Sequence, residues 1–259
     1  MLWLRILSAF IGIPLLIFIV FLGDYWLAFS VAILIILGTY EFIAMFKGIN
    51  FLLGPIIAGE LILIWGAWAK SPYWSDLGIG VSFLIILFVA IVQYPRFKVK
   101  DLAVNFFTLI YVGWTLTHII LLRNLPDGFL VVIYLFLVIW STDTGAYFAG
   151  RFFGRKKLAP LISPNKTKAG AIGGLLMSLV AAIIFNWFFQ VFTPFFLVLS
   201  ALLISYMGQL GDLVESSFKR LAGVKDSGHI IPGHGGILDR FDSTTLTAPI
   251  LFYLLLFLG

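Results

Sequence analysis

The stretch from Gly128 to Gly150, GFLVVIYLFLVIWSTDTGAYFAG, decides the fold. At about 1.5 Å per residue it is long enough, as a helix, to cross roughly 30 Å of hydrocarbon. Its one acid, Asp143, sits inside Ser141-Thr142-Asp143-Thr144, which interrupts the apolar run about two-thirds of the way along. The whole chain of 259 residues is 61% hydrophobic and 11% charged, with 27 Phe and a mean hydropathy of +1.09, more apolar surface than a soluble core can hide. Lipid is the solvent for most of it, and in lipid a helix satisfies its backbone polar groups within its own segment. The reading is an all-α polytopic membrane protein.

Working outward, comparable runs predict nine helices near 6–22, 25–46, 51–69, 77–94, 102–122, 128–150, 169–190, 193–213 and 239–258, with tight joints at Gly23-Asp24 and Thr193-Pro194. The first run follows Arg5 like a signal peptide, but no polar, small-residue cleavage region precedes the next run, so it reads as a retained helix. With no cysteine, disulfides, thiolate zinc sites and a cysteine nucleophile are excluded. No tandem repeat or linker divides the chain. A loose division separates five N-terminal helices, 1–127, from a C-terminal region richer in polar residues, 128–259, with loops at 151–168 and 214–238.

The net charge of +5 suits anionic lipid or phosphate ligands, and no nucleic-acid motif is present. Of the 17 Lys and Arg, all but Lys70 and Arg123 fall on one side of the predicted spans. By the positive-inside rule the N-terminus and both long polar segments face the cytoplasm, and nine spans put the C-terminus outside.

Three places carry chemistry. Asp143 is costly at its depth unless paired, metal-bound or wet, and its bland alternative is hydrogen bonding through the neighbouring hydroxyls. The following loop, Gly150-Arg151, Gly154-Arg155-Lys156-Lys157, Ser163-Pro164-Asn165-Lys166-Thr167 and Gly170, has the glycines, cations and following helix start of a phosphate cradle, although it lacks Walker A spacing. It reads equally as a basic loop with turn residues. The eighth helix then aligns Ser205, Gly208, Gln209, Asp212, Glu215, Ser216 and Lys219 along one face. Glu41, Glu60, His118 and Asn105 also lie in spans, without motifs, and read as packing hydrogen bonds.

The densest segment follows: Ser216-Ser217-Phe218-Lys219-Arg220, four residues, Lys225-Asp226-Ser227-Gly228, then Pro232-Gly233-His234-Gly235-Gly236-Ile237-Leu238-Asp239-Arg240-Phe241-Asp242. Over about 27 residues of fixed spacing this resembles the signature of the phosphatidate cytidylyltransferase (CDP-diacylglycerol synthase) family. The stretch from Asp143 to Gly174 is similar to that family's acidic helix and Ser-Pro-x-Lys-Thr loop. Ala169 stands where the family pattern has Glu.

The resemblance implies a membrane nucleotidyltransferase of phospholipid biosynthesis, a dimer of identical chains, and dependence on Mg2+. Its substrates would be CTP and phosphatidic acid, both strongly anionic, so the chemistry calls for carboxylate-held metal and a ring of cations. Asp212, Asp239 and Asp143 are the expected metal ligands. Ser163, Lys166, Thr167, Lys219, Arg220, Lys225 and Arg240 are expected to bind substrate, and Asp143, Asp226, His234, Asp239 and Asp242 to serve catalysis. Two readings stay open for His234, proton or phosphate contact against turn stabilisation, and two for Asp242, catalysis against capping of the ninth helix. The rival readings are a CTP-dependent polyprenol-type kinase and a secondary transporter; the latter predicts interrupted helices in both halves, whereas the polar residues here crowd into one.

Overall fold

The computed structural model describes residues 2–228 and 235–258. The chain is an all-α polytopic membrane protein. Its helices are α1 (Leu2–Leu22), α2 (Asp24–Met45), α3 (Leu53–Trp68), α4 (Pro72–Val92), α5 (Val99–Arg123), α6 (Gly128–Phe153), α7 (Lys168–Phe189), α8 (Pro194–Leu221) and α9 (Leu238–Leu258). Among the described residues seven of these, all but α1 and α3, are long and apolar enough to cross a membrane. Helix α3, read as a span over 51–69, has only 16 residues, about 24 Å of rise.

Two compact units make up the chain. The first comprises Met1–Asn124 with Asp226–Asp239, the second Leu125–Lys225 with Arg240–Gly259. The second of those segments, 226–239, lies inside the region that the sequence division assigns to the C-terminal helices. It belongs to the first unit because its backbone amides are bonded to Glu41 of α2.

In the first unit, polar residues tie the joints. Gly23 takes φ +63 between α1 and α2, where Arg123 Nε donates to the Val20 carbonyl at 2.8 Å and so stabilises the C-terminal end of α1. That role accounts for one of the two cations on the sparsely charged side. Asn105 in α5 accepts from Leu52 N–H at 2.6 Å and donates to the Asn50 carbonyl at 2.9 Å, fixing the approach to α3. Helix α5 contains a π turn over Leu109–Trp114. It presents Gly113 to the fully buried Glu60, whose Oε1 accepts from Thr39 at 2.5 Å. A side chain at 113 would collide with that acid.

The second unit is a helical group with one addition that the sequence does not announce: an antiparallel ribbon of β1 (Lys157–Ala159) and β2 (Ser163–Thr167), pairing Lys157 with Thr167 and Ala159 with Ser163. Helices α6 and α7 pack closely through small residues. A Cβ on Gly145 would lie 2.6 Å from the Gly173 carbonyl oxygen, and one on Gly170 would lie 2.8 Å from that of Ala146. Close backbone approach is how membrane helices gain contact where lipid supplies no hydrophobic drive. The α7–α8 joint is held by Asn186, which bonds both the N–H and the carbonyl of Phe192 at 2.9 Å, and Thr193 caps α8 ahead of Pro194. Helix α8 continues to Leu221, so the first third of the expected 214–238 loop is helical; no Gly or Pro intervenes before Gly223.

Candidate active site

In the second unit Asp143, Lys166 and Asp212 come from α6, β2 and α8 and line one cavity of about 290 Å3, together with Tyr147, Thr167, Gly170 and Gln209. The volume is near the lower end for ligand pockets. The hydroxyls beside Asp143 do not satisfy it: Thr142 and Thr144 donate to the carbonyls of Val138 and Trp140, each at 2.8 Å, one turn back. The hydroxyl-paired reading of Asp143 is therefore not what the chain does. Its carboxylate faces the cavity.

Lys166 Nζ stands 2.6 Å from Asp212 Oδ2, and Ser216 Oγ donates to Asp212 Oδ1 at 3.2 Å. Asp143 interacts electrostatically with Asp212, Lys166 and Arg240, and Asp242 with Asp212, Asp143 and Lys219. Three carboxylates from three helices thus share a field with three cations. The charges are balanced only while the lysines and arginine stay, and a polyphosphate would compete with the carboxylates for them.

In the expected cradle loop the local contacts centre on Thr167. Thr167 caps α7 by accepting the Gly170 N–H at 3.0 Å, and Gly150 and Gly154 are small because Thr167 packs against them. Those glycines make room for the Thr167 side chain. Lys166 is the residue of this loop that reaches the cavity with a charge. Ser163 lies half-buried in β2. Ala169 sits half-buried in the first turn of α7.

Along α8, Gly211 approaches the Asp242 carbonyl so closely that a Cβ would sit 2.5 Å from it, and Gly208 faces Ser243 and Thr247. The expectation of close packing beside Asp212 is met there. Lys219 pairs at 3.3 Å with Glu215, which is fully buried, and exposed Arg220 donates from Nε to the Ile162 carbonyl at 3.2 Å, fastening the ribbon to α8. Lys225 and Asp226 are exposed. Asp242 lies in the second turn of α9, accepting the Ser243 N–H at 2.6 Å, and so is not that helix's cap.

In the first unit Asp239 Oδ2 accepts three bonds: Gly236 N–H at 2.8 Å, Ser227 N–H at 3.0 Å and Ser227 Oγ at 3.0 Å. One oxygen of this expected metal ligand is thus committed to Ser227 and Gly236. His234 lies outside the described residues. Tyr147 and Gln209 are cavity residues missed as site candidates, though Tyr147 follows Asp143 by one turn and Gln209 stands on the polar face of α8.

The cytidylyltransferase family profile matches residues 3–258. The chain belongs to the cytidylyltransferase family. Among similar proteins, the phosphatidate cytidylyltransferase of Staphylococcus haemolyticus is 39% identical over 97% of this chain and 98% of its own length. That of Bacillus subtilis is 40% identical over 97% and 96%, and that of Staphylococcus aureus 38% over 97% and 98%. In this cytidylyltransferase family member the signature is shared by both compact units: Lys219, Arg220, Lys225, Arg240 and Asp242 fall in one, Asp226 to Asp239 in the other.

For Mg2+, the donor chemistry of the cavity is suitable. Among the described residues no group of three His, Cys, Asp or Glu is arranged to hold a metal ion. Mg2+ bound with nucleotides does not need such a cage, since one or two carboxylates together with water and phosphate oxygens complete its shell. Asp143 and Asp212 supply such carboxylates to the cavity lining.

Proposed function

We propose that this protein transfers the cytidylyl group of CTP to phosphatidic acid, forming CDP-diacylglycerol and pyrophosphate. The observation that carries the reading is the convergence of Asp143, Lys166 and Asp212 on one cavity, in a chain aligned almost end to end with relatives named for that activity. A phosphate oxygen of phosphatidic acid attacks the α-phosphorus of CTP. The bond from that phosphorus to the β-bridging oxygen breaks, and its electron pair leaves with pyrophosphate.

Two anions must meet, so the chain's main task is to cancel charge and fix geometry. Lys166 turns from Asp212 to the phosphates of CTP, while Lys219 and Arg240 contribute positive potential to the same carboxylate field. Arg220 keeps the ribbon bearing Lys166 fastened to α8. Asp143 and Asp212 are the residues that would hold Mg2+, which when bound neutralises phosphate charge and favours departure of pyrophosphate. Asp239 is assigned to the loop. The excess of Lys and Arg on one side supports a cytoplasmic site and N-terminus, in the inner membrane of a bacterial cell, with phosphatidic acid entering from that leaflet. A homodimer rests on family resemblance.

Purified protein given α-labelled CTP, phosphatidic acid and Mg2+ should yield labelled lipid and pyrophosphate in equal amounts. Transfer of the γ-phosphate with release of CDP would replace this reading by a lipid kinase. In the same assay Asp212→Asn should lower turnover about a hundredfold, near 2.7 kcal/mol, and demand more Mg2+ for half-maximal rate.

A further inference from the structure

Glu41 lies in α2, far from the signature in sequence, and is only 4% exposed. A buried carboxylate must find donors. Ile237 N–H donates to its Oε1 at 2.9 Å, Leu238 N–H to its Oε2 at 3.0 Å, and Ser227 Oγ to its Oε2 at 3.2 Å. The two amides lie at the start of α9, where N–H groups have no partner within the helix and the helix dipole favours negative charge. Glu41 is thus the cap of α9, supplied by another helix.

Space tells the same story. A Cβ on Gly228 or on Gly236 would overlap the Glu41 carboxylate. Two glycines around the signature are small because Glu41 passes between them. Ser227 links both acids, its one hydroxyl hydrogen serving either Glu41 or Asp239, so the two carboxylates hold the two ends of the segment together.

We infer that Glu41 is a positioning residue for the transfer reaction: it fixes Ser227, Ile237 and Leu238, and with them the start of α9, the helix that carries Arg240 and Asp242. Its consequence for rate rests on the function proposed above; its structural role does not.

Glu41→Gln keeps the side-chain volume but turns one acceptor into an NH2 that must face an N–H. The variant should lose about tenfold or more in kcat with KM for CTP held within about threefold. Melting in detergent should stay within a few degrees, and hydrogen exchange at the Ile237 and Leu238 amides should speed up by about tenfold. Gly228→Ala should damage turnover as Glu41→Ala does, and the double variant should be no worse than either. Wild-type kcat in Glu41→Gln, additive losses in the double variant, or a loss that only tracks the unfolded fraction would each overturn the inference. A wild-type protein that makes no CDP-diacylglycerol defeats the functional reading instead, and the exchange rates then decide Glu41 alone: unchanged rates overturn its role.

Discussion

Lys166 Nζ and Asp212 Oδ2 stand 2.6 Å apart, an ion pair joining the β-ribbon to α8 in the cavity that Asp143 also lines. Both side chains keep part of their surface open, while Lys166 Nζ itself is enclosed. In the proposed reaction a phosphate that took Lys166 would release Asp212 to a cation.

Replacing Lys166 by Met should therefore harm catalysis far more than folding. We expect kcat/KM for CTP to fall at least about tenfold, equivalent to about 1.4 kcal/mol, with melting in detergent nearly unchanged. Steady-state kinetics at varied CTP check this, and wild-type values would remove Lys166 from the site.

Lys219 behaves differently because its partner Glu215 is fully buried. Lys219→Ala deprives a buried carboxylate of its ion pair, and should destabilise the protein by roughly 3 kcal/mol as well as slow it. Glu215→Gln combined with Lys219→Met should recover most of the melting temperature but not the rate. A double variant that melts as early as Lys219→Ala contradicts the pairing.

At Ala169 the family pattern has an acid. Ala169→Glu places a carboxylate in the first turn of α7, where the helix dipole favours it by about 0.3–1 kcal/mol, so the fold should tolerate the change. Turnover at saturating CTP and Mg2+ should rise. Equal or lower turnover would show that this chain does without the acid.

The sequence by itself determined that the protein lives in lipid, where its helices lie, and to which family it is similar. Hydrophobicity acts additively over some twenty neighbouring residues, and a spaced signature is local too, so both are legible along the chain. The joints at Gly23 and Thr193 were legible for the same reason. Tertiary structure alone decided that Thr167 is a cap, that Gly145, Gly170 and Gly173 serve helix contact, and that Asp239 is bonded to Ser227 and Gly236. It also joined Glu41 to Ile237, 196 positions away. A glycine or an acid reads alike whether it faces phosphate, a neighbouring helix or an unpaired amide, because the requirement it meets belongs to its partner, and only folding brings the partner near.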